Sequence, residues 1–228
     1  MREIYTGGMA VSNDHLRITN VAKGILNTSY GAFSLYCFSM INDFEHQGRV
    51  TEHLALVKGE DKGWVGPVYY RLNSSCITSE VFGCERCDCK WQLDKAIEYI
   101  AEKGRGIITY HTSHEGRGFG LAAKLESYNL MDLGIRSSES YIQLGLGTED
   151  RRDFRVGSKI LQYFGVNEVI LLGNNKKKLD ALENAGISVV QRKSLIYDGN
   201  QEKVKMYLRH KAHDPEQDLL KVIGGGSY

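Results

Sequence analysis

The sequence predicts an α/β (α+β) fold, a β-rich N-terminal part followed by alternating strands and helices. Three observations carry this. Loose period-two patterning runs from Ile25 to about Val57. The period changes to a helical one at Trp91. Beyond that point, short apolar runs alternate with helical segments that stop at glycine.

The elements follow in order. Residues 1–24 are mixed and polar and read as an N-terminal extension. Tyr30-GAFSLYCFSM is a strand pattern, with Cys37 read as core; Gly48 and Arg49 mark a turn; Glu52-HLALVKG is a second strand. Asp61-Lys62-Gly63 is a turn, and Val65 to Leu72 a third strand. Leu93, Ala96, Ile97, Ile100 and Ala101 share one helix face, closed by Lys103-Gly104. Gly106-IITYH is a short buried strand, and Leu121 to Leu133 a helix ending at Gly134. Val156 to Phe164 is helical and stops at Gly165. Val169-ILLG is a strand, Lys177 to Asn184 a helix, and Ile187-SVVQR another strand. Asp214 to Tyr228 is a polar, Gly-rich tail.

The chain has 228 residues and a formal net charge of +1, with 42% hydrophobic residues. That length builds a core without disulfides. Near-neutral charge speaks against general binding of nucleic acid or acidic membranes. No stretch reaches the about 18 apolar residues of a membrane span, and the N-terminus MREIYTGGMAVSNDH has no apolar signal core. The expected location is cytoplasmic and reducing, so free thiols are expected rather than disulfides.

Four of the five cysteines lie in Cys76-ITSEVFGCER-Cys87-Asp88-Cys89. Cys87 and Cys89 are two apart, so an extended segment would point both thiolates the same way. With Cys76 they make a three-sulfur zinc site with an open fourth position; the plain alternative is buried small hydrophobes. Cys84 as a fourth ligand would close the site and make it structural. A second cluster, His111-Thr112-Ser113-His114-Glu115-Gly116-Arg117-Gly118-Phe119-Gly120, joins a strand to a helix, the junction where α/β proteins bind ligands. Arg117 is suited to clamp a phosphate there, and the two histidines to bind zinc or to sit on the surface. Glu149-Asp150-Arg151-Arg152-Asp153-Phe154 is a solvated cap or, in a functional reading, a base (Asp150) beside a phosphate contact (Arg152). Asn174-Asn175-Lys176-Lys177-Lys178 puts three lysines at the positive end of a helix, an arrangement that an anion would relieve.

Over residues 25–212 the chain resembles the GTP cyclohydrolase II family. The resemblance rests on the Cys76…Cys87-Asp88-Cys89 spacing, Gln92-Leu93, Gly104-Arg105-Gly106-Ile107, Glu115-Gly116-Arg117, Tyr128, Arg152-Asp153-Phe154, and Gly165-Val166-Asn167-Glu168-Val169 ahead of Asn174-Asn175. It implies one catalytic domain at 25–212, which leaves the polar residues 213–228 as a flexible tail, and a homodimer. It implies Zn2+ on Cys76, Cys87 and Cys89, activating a water for attack at C8 of GTP. Formate and pyrophosphate are released, Mg2+ helps at the phosphates, and a diaminopyrimidinone ribosylamino monophosphate of riboflavin synthesis remains. Tyr128 takes the place of the family's active-site tyrosine, Asp150 of its general base, and Arg152 of its arginine nucleophile or α-phosphate contact. Arg71, Gln92, Glu115, Gly116, Arg117, Ser137 and Lys178 match nucleotide contacts.

The chain departs from the family pattern around the nucleotide. Ser75 stands where glutamate is usual, Lys90 where glycine is, Gly173 where threonine is, and Lys176 where proline is. The loop before Glu115 carries one extra residue, as does Gly147-Thr148-Glu149. This is the pattern of a divergent member. Two further readings follow: a related cyclohydrolase of a non-riboflavin pathway, acting on another purine nucleotide or stopping at the formamide, and a non-catalytic nucleotide-binding zinc protein.

Overall fold

A computed structural model describes residues 15–42, 50–147 and 150–200, with 202, 204, 205 and 208. The strands are β1 (Leu16–Thr28), β2 (Gly31–Asn42), β3 (Val50–Lys58), β4 (Val68–Ser74), β5 (Gly106–His111), β6 (Glu168–Leu172) and β7 (Ser188–Lys193). The helices are α1 (Ile77–Glu80), α2 (Cys89–Lys103), α3 (Leu121–Asp132), α4 (Ser137–Gln143), α5 (Arg155–Tyr163) and α6 (Lys176–Asn184). The expected α/β class is the one observed.

All seven strands form one mixed sheet in the order β1-β2-β3-β5-β4-β6-β7. β1, β2, β3 and β5 pair antiparallel; β5, β4, β6 and β7 pair parallel. α2 crosses from β4 to β5, and α6 from β6 to β7, as parallel neighbours require. The chain leaves β4 for β5 on one side and later returns to β6 on the other. That makes the carboxyl ends of β4, β5 and β6 a topological switch point, where open α/β sheets bind ligands.

The sheet is covered on both faces. Tyr36, Phe38, Val57, Tyr70, Leu72 and Ile107 pack with Val156, Ile160 and Leu161 of α5 and Leu182 of α6. On the other face, Phe33, Ile108 and Leu172 pack with Ala96 and Ile100 of α2. Adjacent residues Ile107 and Ile108 thus serve opposite cores, the strand alternation made visible. No helix among the described residues is long and apolar enough to cross a membrane.

Several expectations need correction. The stretch 1–24 read as an extension contains most of β1, a long edge strand with a register shift between Ile18 and Asn20. Its residues are mostly exposed, so burial leaves little alternation to read. Cys37 is half-buried in β2 rather than core. The third strand begins at Val68, not Val65. The turn at Gly48-Arg49, the insertion near Thr148-Glu149 and the tail 213–228 lie outside the described residues.

Gly157 lets α5 close on the sheet. A Cβ there would stand 2.7 Å from Leu72 Cδ1 and meet the Tyr70 hydroxyl, itself 2.7 Å from Thr109 Oγ1. Gly157→Ala will therefore overpack the core despite alanine's better helix propensity. The expected cost is about 1–3 kcal/mol, to be read as a lower denaturant midpoint with an unchanged slope.

Candidate active site

β4 ends at Ser74, and the next residue's amide donates to the His111 carbonyl (3.2 Å), extending the parallel pair by one bond. Cys76 is then the N-cap of α1: its carbonyl accepts from Ser79 N and Glu80 N. Two carboxylates hold this one-turn helix in place. Glu80 accepts from Cys76 N (3.1 Å), Tyr110 OH (2.6 Å) and Asn73 Nδ2 (2.8 Å). Glu115 accepts from Ile77 N at 2.7 Å, a negative charge at a helix N-terminus.

The chain then turns back, with Cys84 N donating to Thr78 O (2.8 Å), and enters α2 through Asp88 as its N-cap. Cys87 precedes that cap and Cys89 opens the helix. The two sulfurs are therefore brought together by a turn into a helix, not by the extended segment expected. The donor atoms of Cys76, Cys87 and Cys89 all lie within 4.8 Å of one another, with Cys76 Sγ and Cys87 Sγ at 3.6 Å. Cys84 is outside this group.

The chemistry of the three sulfurs fits a soft divalent cation such as zinc. Hydrogen bonds from Cys87 and Cys89 hold the Cys76 thiol far below its ordinary pKa, aided by Lys124. The cost falls on the other two: the hydrogen bond to Cys76 pushes Cys87 up to about 12, and Cys76 and Cys87 raise Cys89. A divalent cation would let all three ionise, since thiolate is the ligand form.

Lys124, on α3, donates to Cys76 Sγ (3.0 Å) and Glu115 Oε1 (2.5 Å). Burial opposes its charge, but the Cys76 thiolate and Glu115 outweigh burial and keep the ammonium protonated. Tyr128 follows one turn later on the same face. Its hydroxyl lies 2.9 Å from Thr78 Oγ1, which is 3.8 Å from Cys76 Sγ. Burial raises the Tyr128 pKa to about 12, so it stays a hydrogen-bond donor. Arg86 stacks over its ring (4.8 Å) and forks onto Asp132 (2.6 and 2.8 Å).

The loop Glu115-Gly116-Arg117-Gly118 follows β5 in left-handed backbone, with φ of 56°, 58° and 87° from Gly116 to Gly118. Close approach demands Gly118: a Cβ there would be 2.9 Å from the Arg151 carbonyl carbon, and Arg151 N donates to Arg117 O (3.0 Å). The Arg117 guanidinium lies over the Tyr141 ring of α4 (5.9 Å). Ser137 opens α4, and its carbonyl accepts from Ser140 Oγ (2.9 Å); the link from α4 to the loop runs through Tyr141.

Asp150 and Arg152 form a two-pronged pair, Nε to Oδ1 at 2.7 Å and Nη2 to Oδ2, with the Asp150 side chain almost fully buried. Burial raises the Asp150 pKa, but the Arg152 hydrogen bonds and charge win and hold it below the ordinary value. Arg152 lies over the Phe154 ring at 5.1 Å, and Lys178 over the same ring at 5.8 Å. Lys178 reaches back to Leu72 O (2.8 Å), while its amide is capped by Asn175 Oδ1. His114 meets the same ring edge to face (5.3 Å), so three sequence clusters meet around Phe154.

Arg71, expected as a nucleotide contact, lies inside a protein hydrogen-bond network. It is buried, with its guanidinium donating to Asn73 Oδ1, Leu172 O and Gln92 Oε1, and Gln92 donating to Asp88 Oδ2. Burial lowers its pKa. Gly173 makes room for it: a Cβ there would lie 2.9 Å from Arg71 Nη1. Arg71 and Gln92 here brace the second half of the sulfur cluster through Asp88.

Lys124, Thr78, Glu80 and Arg86 were not singled out from sequence. Lys124 had a readable signal, since it lies four residues before Tyr128 in a predicted helix. Glu80 lies inside the cysteine run. His111 and His114, read as zinc ligands or surface residues, are both buried and stand outside the three-sulfur group; His111 stacks on His114 and meets His53 at a tilt.

The family model for GTP cyclohydrolase II matches residues 19–194 of this chain. Among curated relatives, the riboflavin biosynthesis protein RibBA of Mycobacteroides abscessus is 38% identical over 208 residues, covering 90% of this chain and 48% of the relative. RibBA of Rhodococcus jostii is 37% identical over 206 residues, 89% of this chain and 48% of the relative. RibBA of Aquifex aeolicus is 38% identical over 194 residues, 85% and 46%. The chain spans about half the length of the curated relatives it matches.

Proposed function

The chain belongs to the GTP cyclohydrolase II family, and on that premise we propose that it opens the imidazole ring of GTP at C8, with release of formate and pyrophosphate, for riboflavin synthesis. The observation that carries this reading is the convergence of Cys76, Cys87 and Cys89, without Cys84, at the switch point of the sheet. Three protein donors leave room for water on a tetrahedral ion.

Zinc held by these three sulfurs would supply the Lewis acidity that makes water a nucleophile near neutral pH. The chain's own residues supply the rest. Lys124 stays cationic beside Cys76 and Glu115, offsetting thiolate charge where a polyanionic substrate must approach. Tyr128, protonated and held by Thr78 and Arg86, offers a donor to the purine or its opened product. Arg152 and Lys178, gathered by Phe154, are placed for phosphate oxygens, as is Arg117 in its glycine loop. Magnesium would enter with the phosphates. Asp150 becomes available as a base once a phosphate competes for Arg152.

Two observations favour a second reading within the family, a changed purine preference or an arrest at the formamide. Arg71 fills the space at Gly173, and Ser75 Oγ donates to Thr112 O (3.2 Å), so both departures are turned toward protein. Mass spectrometry of products from a panel of purine nucleoside triphosphates, run on protein of measured zinc content, separates the readings. Formate and the diaminopyrimidinone from GTP are expected. Formamide product alone supports the second reading. Zinc-loaded protein that leaves every nucleotide intact refutes both and leaves the nucleotide-binding zinc protein. The homodimer is a further proposal, to be checked by sedimentation.

A further inference from the structure

We propose that His114 is a positioning residue, a neutral imidazole that ties the Asp150–Arg152 loop to the end of β4. This rests on the reading above, in which that loop works on the phosphates. His114 is 2% exposed and lies between two parts of the site distant in sequence. Its Nε2 is 3.2 Å from the Asp153 carbonyl, and its Nδ1 is 3.1 Å from Ser74 Oγ.

The proton positions follow from the partners. A carbonyl only accepts, so Nε2 carries the hydrogen, and Nδ1 of the neutral ring then accepts from the Ser74 hydroxyl. Neutrality is enforced from several sides. Burial acts first, then the charges of Arg152 and Lys178, and His53 adds to them. The ring also has its geometry set by packing: it stacks on His111 (4.7 Å) and meets Phe154 edge to face (5.3 Å). Phe154 in turn carries Arg152 and Lys178 over its ring. One end of His114 is thus joined two residues before Cys76, and the other one residue after Arg152.

The 15N shifts of the His114 ring in the intact wild-type protein test the assignment without any activity. The Nε2–H tautomer is expected; an Nδ1–H tautomer or an imidazolium near neutral pH overturns the proposal. Three variants test the role. His114→Phe keeps a ring and loses both hydrogen bonds; kcat for pyrophosphate release from GTP is expected to fall about tenfold, the scale of one lost positioning bond, at unchanged zinc content. His114→Gln keeps a donor near the Nε2 position and is expected to restore most of that loss. His114→Asn, which reaches only the Nδ1 position, is not. Equal losses in all three variants, or none, overturn the proposal. If wild type releases no pyrophosphate from GTP, the GTP reading fails, and amide hydrogen exchange of residues 150–155 decides this one. Faster exchange in His114→Phe but not in His114→Gln supports the tie; unchanged exchange in both refutes it.

Discussion

Cys87→Ser is expected to abolish formate production from GTP, a loss of at least about a hundredfold, since loss of a mere outer-shell partner of a metal ligand already costs about 10–100-fold. The same substitution should leave the protein without stoichiometric zinc after gel filtration in mild chelator. Cys87 Sγ sits 3.6 Å from Cys76 Sγ, inside the three-sulfur group, and serine offers no thiolate to replace it. Cys84→Ser is the contrasting variant. Cys84 stands outside the sulfur group although it lies only three residues before Cys87. It should retain one zinc per chain and full formate release. Elemental analysis beside a formate assay reads both variants. Loss of zinc in Cys84→Ser would mean a four-sulfur, closed site, and the open-position chemistry would then be wrong.

Asp150→Asn is expected to be the second large effect, and to act on both turnover and stability. The buried carboxylate receives Arg152 Nε at 2.7 Å and its backbone amide at 3.2 Å. Removing one partner of a buried pair costs about 3–5 kcal/mol when the other charge is left behind; part of that is recovered here because the amide oxygen still accepts one bond. Turnover should fall by about 10²–10⁴, the contribution of a positioned base. The sign of the pH dependence follows from the depressed folded pKa of Asp150. The pair's stabilisation is complete above the ordinary carboxylate value, about 3.9, and is lost as pH falls through the lower folded value. Wild type and variant should therefore differ most in urea midpoint near neutrality and converge in acid. A constant difference down to acid pH would show that the ion pair does not supply the stability.

These effects were legible in sequence to unequal degrees. Asp150 and Arg152 could be named, yet a dense charge run before a helix reads more readily as a solvated cap, and nothing local says that Asp150 is buried. Type and spacing pointed to the cysteine run but left Cys84 open as a fourth ligand, and the set of three came from the family resemblance; the reason offered for Cys87 and Cys89 failed, because Asp88 begins a helix where an extended segment was expected. Arg71 shows the limit from the other direction. Its match to a nucleotide contact is local, whereas its burial among Asn73, Leu172 and Gln92 depends on strands more than 90 residues apart in sequence, with Leu172 O accepting at 3.2 Å.

The sequence by itself determined the local periods, the glycine stops of the helices, the cysteine-rich run and the order of the family's motifs, because each is a property of residues close together in the chain. It left β1 unread, since an exposed edge strand buries too few side chains to impose an alternation. Only the tertiary structure decided that β4 lies between β5 and β6, for strand order is set by backbone pairing that leaves no period in the sequence. That order brings Cys76, Glu115 and Asn175 to one end of the sheet. It also brings in Lys124, whose partners are 48 residues before it and 9 residues before it, and closes the tie at His114.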